Sequence, residues 1–338
     1  MGTASKIAVI SLALMSVVAC HSGINTRVTL PTSTGRGGST PNPGDQIFTI
    51  CSPLDFSQVT WTSGLSPFRK TSVELALNIS GSFEGAQGWA NLTNNFDGQG
   101  LSMGLLNQNL GTGSLQPLLL EMENNFPGIL QNIFSSAHLQ SLEAMLAQWE
   151  ADAKSSNLLG LDGIEKLSIL DEPSQFGPQT AASSASVAWA VNNLYSGSNF
   201  VPQWEAELTA LGESAKYISV QVEAALALHN QTLTQMAPLQ VNELRAYLMV
   251  FDIMVQDGGI YAQDFSDYGT WLNQNPASNN TSRLMEILNL RLRHVKSQYV
   301  ADVQSRKMAI INGSGVVHGD NRNLEQQYCF NRLLSYQN

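Results

Sequence analysis

Glu84 and Asp97 stand thirteen positions apart and are the one glutamate and the one aspartate of residues 83–113, FEGAQGWANLTNNFDGQGLSMGLLNQNLGTG, which hold no Lys, Arg or His. Ahead of them, in TSVELALNISGSFEG (71–85), Leu75, Ile79 and Phe83 recur every four residues, and the spacing predicts a helix that Gly85 stops. Glu84 then ends a buried helix, partly desolvated and close to its negative pole, the setting a general acid needs. Asp97 sits in a loop before Gly98, where a carboxylate stays ionised and can act as a base. Ser102, five residues on, is placed to help Asp97 hold a water. One carboxyl acid and one carboxylate base are the minimum equipment for hydrolysing a glycosidic bond. On composition alone the same stretch also reads as plain turns, and Gly98, Gly100 and Gly104 suit tight bends under either reading. It is a poor nucleotide loop, because GQGLSMG follows GxGxxxG and brings no lysine to a phosphate.

The elements that must position these residues are mostly helical. Apolar residues at three- and four-residue spacing predict helices over 115–126, 129–155, 181–196, 203–230, 239–256 and 281–310, as in Leu139, Leu142, Met145, Leu146 and Trp149. Ser114 is expected to cap the first of these. Turn formers separate them, as in Asp171-Glu172-Pro173-Ser174 and Asn275-Pro276. The clear strand signal is Leu101, Met103 and Leu105 alternating with Ser102 and Gly104. The expected fold class is therefore α+β, mainly α-helical, with a small β-hairpin or sheet beside the candidate site.

The ends carry separate information. Residues 1–19 read as an export signal, with Lys6 ahead of an apolar run from Ile7 to Val18 that is too short for a stable membrane span. Val17-Val18-Ala19-Cys20 is similar to the lipobox of bacterial lipoproteins, which implies cleavage before Cys20 and acylation of its thiol. Residues 20–46, rich in Gly, Ser, Thr and Pro, read as a flexible tether, and 47–338 as one folded domain. Cys51 and Cys329 remain near the two ends of that domain. In an exported protein they are expected to pair, two buried free thiols being the alternative. The formal net charge is −10, or −11 once Lys6 leaves with the signal, and only 13% of residues are charged. Such a surface repels nucleic acid and anionic lipid faces and suits a cationic partner.

The segments SGSFEG and FDGQGLSMGLLNQNLGTGSLQPLL resemble the N-terminal part of the bacterial family 46 chitosanases, enzymes of lysozyme-like fold. The resemblance implies that Glu84 is the general acid, Asp97 the general base, and Ser102 the counterpart of a threonine that helps hold the attacking water. FDIMVQDG (251–258) and RKMAIINGSGVVHG (306–319) are similar to later segments of the same family. Gln99 replaces the family's arginine, Leu101 a tyrosine and Asp257 a histidine, departures that bear on substrate identity. Gln99, Trp89 and Asn95 are the candidate substrate contacts, and Trp271 with Tyr268 are further aromatic candidates for a sugar cleft. The implied activity is inverting hydrolysis of a β-1,4-linked amino-sugar polymer, peptidoglycan or chitosan, by a protein lipid-anchored in the bacterial envelope. Two rivals stand beside it: a lytic transglycosylase, which needs only the glutamate, and a catalytically inactive glycan-binding lipoprotein. No metal or cofactor is expected, since His21, His138, His229, His294 and His318 form no HExxH and no GxSxG elbow occurs.

Overall fold

The computed structural model describes residues 48–155 and 180–336. The segments read above as an export signal and a tether, Cys20, and the expected turn at 171–174 lie outside the described residues. Those described form a mainly helical α+β protein with twelve α-helices and three small antiparallel sheets.

Helix α1 (Pro67–Glu84) begins where the Ser66 hydroxyl accepts the Arg69 N–H at 3.3 Å, with Pro67 in the first position, where a missing N–H costs no bond. Leu75, Ile79 and Phe83 form a buried face as the spacing predicts. Val73, Ala76, Leu77, Asn78 and Gly81 are buried too, so neighbours enclose the helix on most sides. Gly85 ends it with extended backbone, and a side chain there would overlap the amide of Asn91.

The three-stranded sheet follows: β1 (Leu92–Thr93), β2 (Ser102–Met103) and β3 (Gln108–Asn109), with Ser102 paired to Thr93 on one side and to Asn109 on the other. Leu101, Met103 and Leu105 are buried, but so are Ser102 and Gly104, so both faces are covered and the apolar–polar alternation marks no wet face.

The predicted helices are present but subdivided. After α2 (Gln116–Asn125), the 129–155 segment is two helices, α3 (Pro127–Ile133) and α4 (Ser136–Ser155), parted at the extended Phe134. The expected Ser114 cap is absent, because its hydroxyl accepts the Asn109 N–H at 2.9 Å instead. α5 (Ala181–Asn193) leads through the hairpin β4 (Tyr195–Ser196) and β5 (Asn199–Phe200) to α6 (Pro202–Glu213) and α7 (Ala215–Met236). Ser214 parts the last two and caps α7. α8 (Leu244–Asp257), α9 (Ala262–Gln274), α10 (Asn280–Leu292) and α11 (Val300–Asn312) follow, then the hairpin β6 (Ser314–Val317) and β7 (Asp320–Asn323), and α12 (Leu324–Tyr328). Single extended residues such as Ser214 break a helix without disturbing its apolar period, which is why the sequence merges these pairs. α9 escapes the periodicity because its apolar residues, Phe265, Tyr268, Trp271 and Leu272, are diluted by Asp, Gln and Asn.

Two large apolar cores result, beside a small cluster of Trp149, Ala153 and Ala182. One gathers α1, α8, α10, α11 and the C-terminal segment around Leu75, Ile79, Phe251 and Ile310. The other joins the β1–β2–β3 sheet to α2, α4 and α6 around Met103, Leu119, Leu146 and Leu208. α7 serves both, giving Tyr217 and Val220 to the second and Val222 and Ala225 to the first. Cys51 and Cys329 form the expected disulfide, with Cα atoms 5.2 Å apart, and the Cys51 N–H donates to the Tyr328 carbonyl.

Candidate active site

Glu84 closes α1 on the side of the first core, while Asp97 and Ser102 belong to the sheet region of the second. The Glu84 side chain is 15% exposed, and its Oε1 lies 2.7 Å from Nη1 of Arg306. The same guanidinium grips Asp252 through Nη2 (2.7 Å) and Nε (3.3 Å) and lies over the Phe83 ring. Lys307, fully buried, reaches Asp252 at 2.9 Å and Asp257 at 3.4 Å, and it also donates to Gln256. Gln256 passes the chain on to Asp302, which pairs with His318 at 2.7 Å. The three segments of the resemblance thus meet in one charge cluster: Glu84 from the first, Asp252 and Asp257 from the second, Arg306 and Lys307 from the third.

The electrostatics follow from that contact list. Burial pushes the Asp252 carboxyl up, but the charges of Arg306 and Lys307 outweigh it and hold the group well below the usual carboxylate range. Burial likewise works against the Arg306 charge, and Asp252 and Glu84 overcome it. The sequence anticipated a desolvated Glu84 at a helix end but not this cation against it.

Asp97 ends a 3-10 turn (Asn95–Asp97), is partly exposed, and accepts the Gln99 N–H at 3.1 Å. Tyr195 lies near it. Burial first, and then the Asp97 charge, raise the Tyr195 phenol well above its ordinary value, and its O–H donates to the Gly100 carbonyl at 2.6 Å. Ser102 is only 2% exposed, so any water it holds is buried with it. Gln99 is also 2% exposed and packs against Gly111 rather than facing solvent. Asn95 spends its Oδ1 on the Gly100 N–H at 2.6 Å. Asn91 Nδ2 and the Thr93 hydroxyl both donate to the side-chain Oδ1 of Asn107, tying the exit from α1 to the sheet.

Trp89 is half-buried, edge-on to Phe56 at 5.6 Å, with its indole N–H unpartnered. It lines a groove of about 490 Å³ along the last turn of α1, together with Asn78, Ser82, Gln87 and Glu213. Glu84, Asp97 and Ser102 do not line that groove. Trp271 and Tyr268 stack on each other against the first core, and the Tyr268 hydroxyl donates to Leu239, which makes them packing residues. Among the described residues, no group of three His, Cys, Asp or Glu side chains is arranged to hold a metal ion. Sequence reasoning gave no role to Asp252, Arg306 or Lys307, although a charge inside an apolar helix such as LMVFDIMV is a signal that a counter-ion must be found.

What the fold and site define is a mainly helical α+β protein with a partly exposed glutamate held at a helix end by a buried ion-pair cluster. No family model matches the chain, and no curated protein matches it in sequence.

Proposed function

We propose that this protein is a glycoside hydrolase of the bacterial cell envelope, exported and lipid-anchored through Cys20, that cleaves β-1,4-linked amino-sugar polymers, either peptidoglycan, including its deacetylated form, or chitosan. The observation that carries the reading is the placement of Glu84, partly exposed, at the end of buried α1, with Asp97 in the turn that joins β1 to β2. Supporting it is the division between a first core whose α1 ends at Glu84 and a second core that includes the sheet beside Asp97. Glu84 delivers a proton to the leaving glycosidic oxygen. Asp97 takes the proton of a water that attacks the anomeric carbon from the opposite face, and the sugar–oxygen bond breaks with inversion. Such a reaction calls for a carboxyl separation of about 6.5–9.5 Å with the substrate bound.

The burial of Ser102 favours one alternative. If its hydroxyl cannot serve an attacking water, the chemistry reduces to Glu84 alone, as in a lytic transglycosylase, and the products carry anhydro ends. The inactive, glycan-binding reading draws on the Arg306 contact to Glu84. One experiment separates the three. The full chain with Cys20→Ser, with and without Glu84→Gln, is incubated with chitosan, native peptidoglycan and deacetylated peptidoglycan. New reducing ends that disappear in the Glu84→Gln chain, with a bell-shaped pH–rate profile, support hydrolysis. Anhydro products move the assignment to a transglycosylase, and no product on any glycan ends the enzymatic reading.

A further inference from the structure

Phe96 is 78% exposed, the largest exposure among the big apolar side chains described, and it immediately precedes Asp97. Its loop is firmly braced. Asn94 accepts the Phe96 N–H at 3.2 Å, Asn95 accepts the Gly100 N–H at 2.6 Å and Asp97 accepts the Gln99 N–H at 3.1 Å. Gly98 and Gly100 take left-handed backbone, at φ of 80° and 81°. Two further bonds tie the loop to the β4–β5 hairpin region: Asn94 Nδ2 to the Ser198 carbonyl at 3.2 Å, and the Tyr195 hydroxyl to the Gly100 carbonyl. The ring is therefore not on a slack tip that could fold back into the core. It is presented.

We propose that Phe96 is a stacking platform for a pyranose ring of the polymer, seated beside Asp97. This rests on the glycan reading above and adds to it a specific binding residue. A flat aromatic face covers the C–H face of a sugar, and its gain comes from area and geometry rather than charge. The neighbours fit a sugar better than a lipid surface. Asn94 and Asn95 precede Phe96 in the same turn with amide side chains, and residues 83–113 contain no lysine or arginine to attract anionic headgroups. Asn95 uses only its oxygen in the brace, which leaves its amide donors for a sugar hydroxyl. Because Phe96 and Asp97 are adjacent in one rigid turn, a ring stacked on the first is registered against the second. Phe96 thereby sets which glycosidic bond meets the carboxylate.

The test uses the full chain with Cys20→Ser and Glu84→Gln, so that binding is read without turnover, in three versions: otherwise unchanged, with Phe96→Ala, and with Phe96→Trp. Each is mixed with insoluble chitosan, with peptidoglycan, and with phosphatidylglycerol-containing vesicles, and the free protein is measured. The expected result is glycan binding weakened roughly tenfold by Phe96→Ala and retained by Phe96→Trp, with unchanged thermal midpoints because the side chain is outside both cores. Equal glycan affinity in the Phe96→Ala chain overturns the proposal and leaves the hydrolase reading intact. Glycan binding that depends on Phe96, in a protein that cleaves nothing, sinks the hydrolase reading and keeps this one. Binding to no glycan overturns both, and Phe96-dependent binding to vesicles alone assigns the ring to a membrane.

Discussion

Arg306 and Glu84 meet at 2.7 Å, Nη1 to Oε1, although one lies on α11 and the other ends α1. The guanidinium is a planar fork, and its remaining nitrogens are committed to fully buried Asp252. The direction in which Glu84 points is therefore fixed from within the core rather than by its own helix. Arg306 alone of the two cations that hold Asp252 also touches the proposed acid.

Removing that fork should be costly. Arg306→Met leaves Asp252 with Lys307 alone and Glu84 without its cation, and should destabilise the fold by roughly 3–5 kcal/mol. Glu84→Gln, at a partly exposed position, should cost much less. Urea titrations of both chains at pH 7 check the order. Asp252 adds a pH dependence. Its folded-state carboxyl is depressed, so its contribution is complete above the ordinary carboxylate value of about 4 and drains away as the pH falls below it. The parent should therefore lose stability in acid more steeply than Asp252→Asn, whose midpoint starts lower.

His229 gives a second, separate pH signature. Its Nδ1 pairs with the Tyr247 hydroxyl at 2.9 Å, and burial, helped by Arg69, lowers the imidazole to about 4. The unfolded chain takes up this proton near pH 6.5 and the folded chain only near 4, so stability is full above about 6.5 and falls across that window. The loss should be on the order of 3 kcal/mol between pH 7 and pH 4, from the size of that displacement. Denaturant midpoints measured at steps of pH for the parent and His229→Gln check it. The variant should be flatter between pH 6.5 and 4.5, and a parallel pair of curves counts against the assignment.

Gly212 on α6 lies against the segment that carries Trp89. A Cβ there would sit 2.6 Å from the Ala90 Cα and 3.2 Å from the Trp89 carbonyl oxygen, so backbone has to move to admit it. Gly212→Ala should cost about 1–3 kcal/mol by overpacking, and it should alter Trp89 fluorescence more than Gly128→Ala, where the space is open.

The residues differ in how far the sequence could expose them. Glu84 was legible because the four-residue period of Leu75, Ile79 and Phe83 predicts a helix and Gly85 predicts its end, and the disulfide was legible from two leftover thiols. The burial of Ser102 was not, because alternation reports one covered face and cannot report that α7 and its neighbours cover the other. Gln99 was hidden for the same reason: nothing local says that Gly111 folds over it. The partners of Glu84 were beyond local reading altogether. Asp252, Arg306 and Lys307 announce themselves as charges in apolar helices, yet which opposite charge each one meets is a fact of tertiary packing. The paired helices α3–α4 and α6–α7 were read as single spans, since a break of one or two residues leaves the apolar period intact; α10 and α11 were merged as well, although seven residues part them.

The bond between Cys51 and Cys329 spans 278 positions and makes almost the whole folded body a covalent ring. A ring tolerates a single backbone cut at any point along it: both pieces stay in one molecule, with every core contact still available for reassembly. Release of a fragment takes a second cut or a reductant. Against proteolysis, durability is thus set by the rate of double events rather than of single ones.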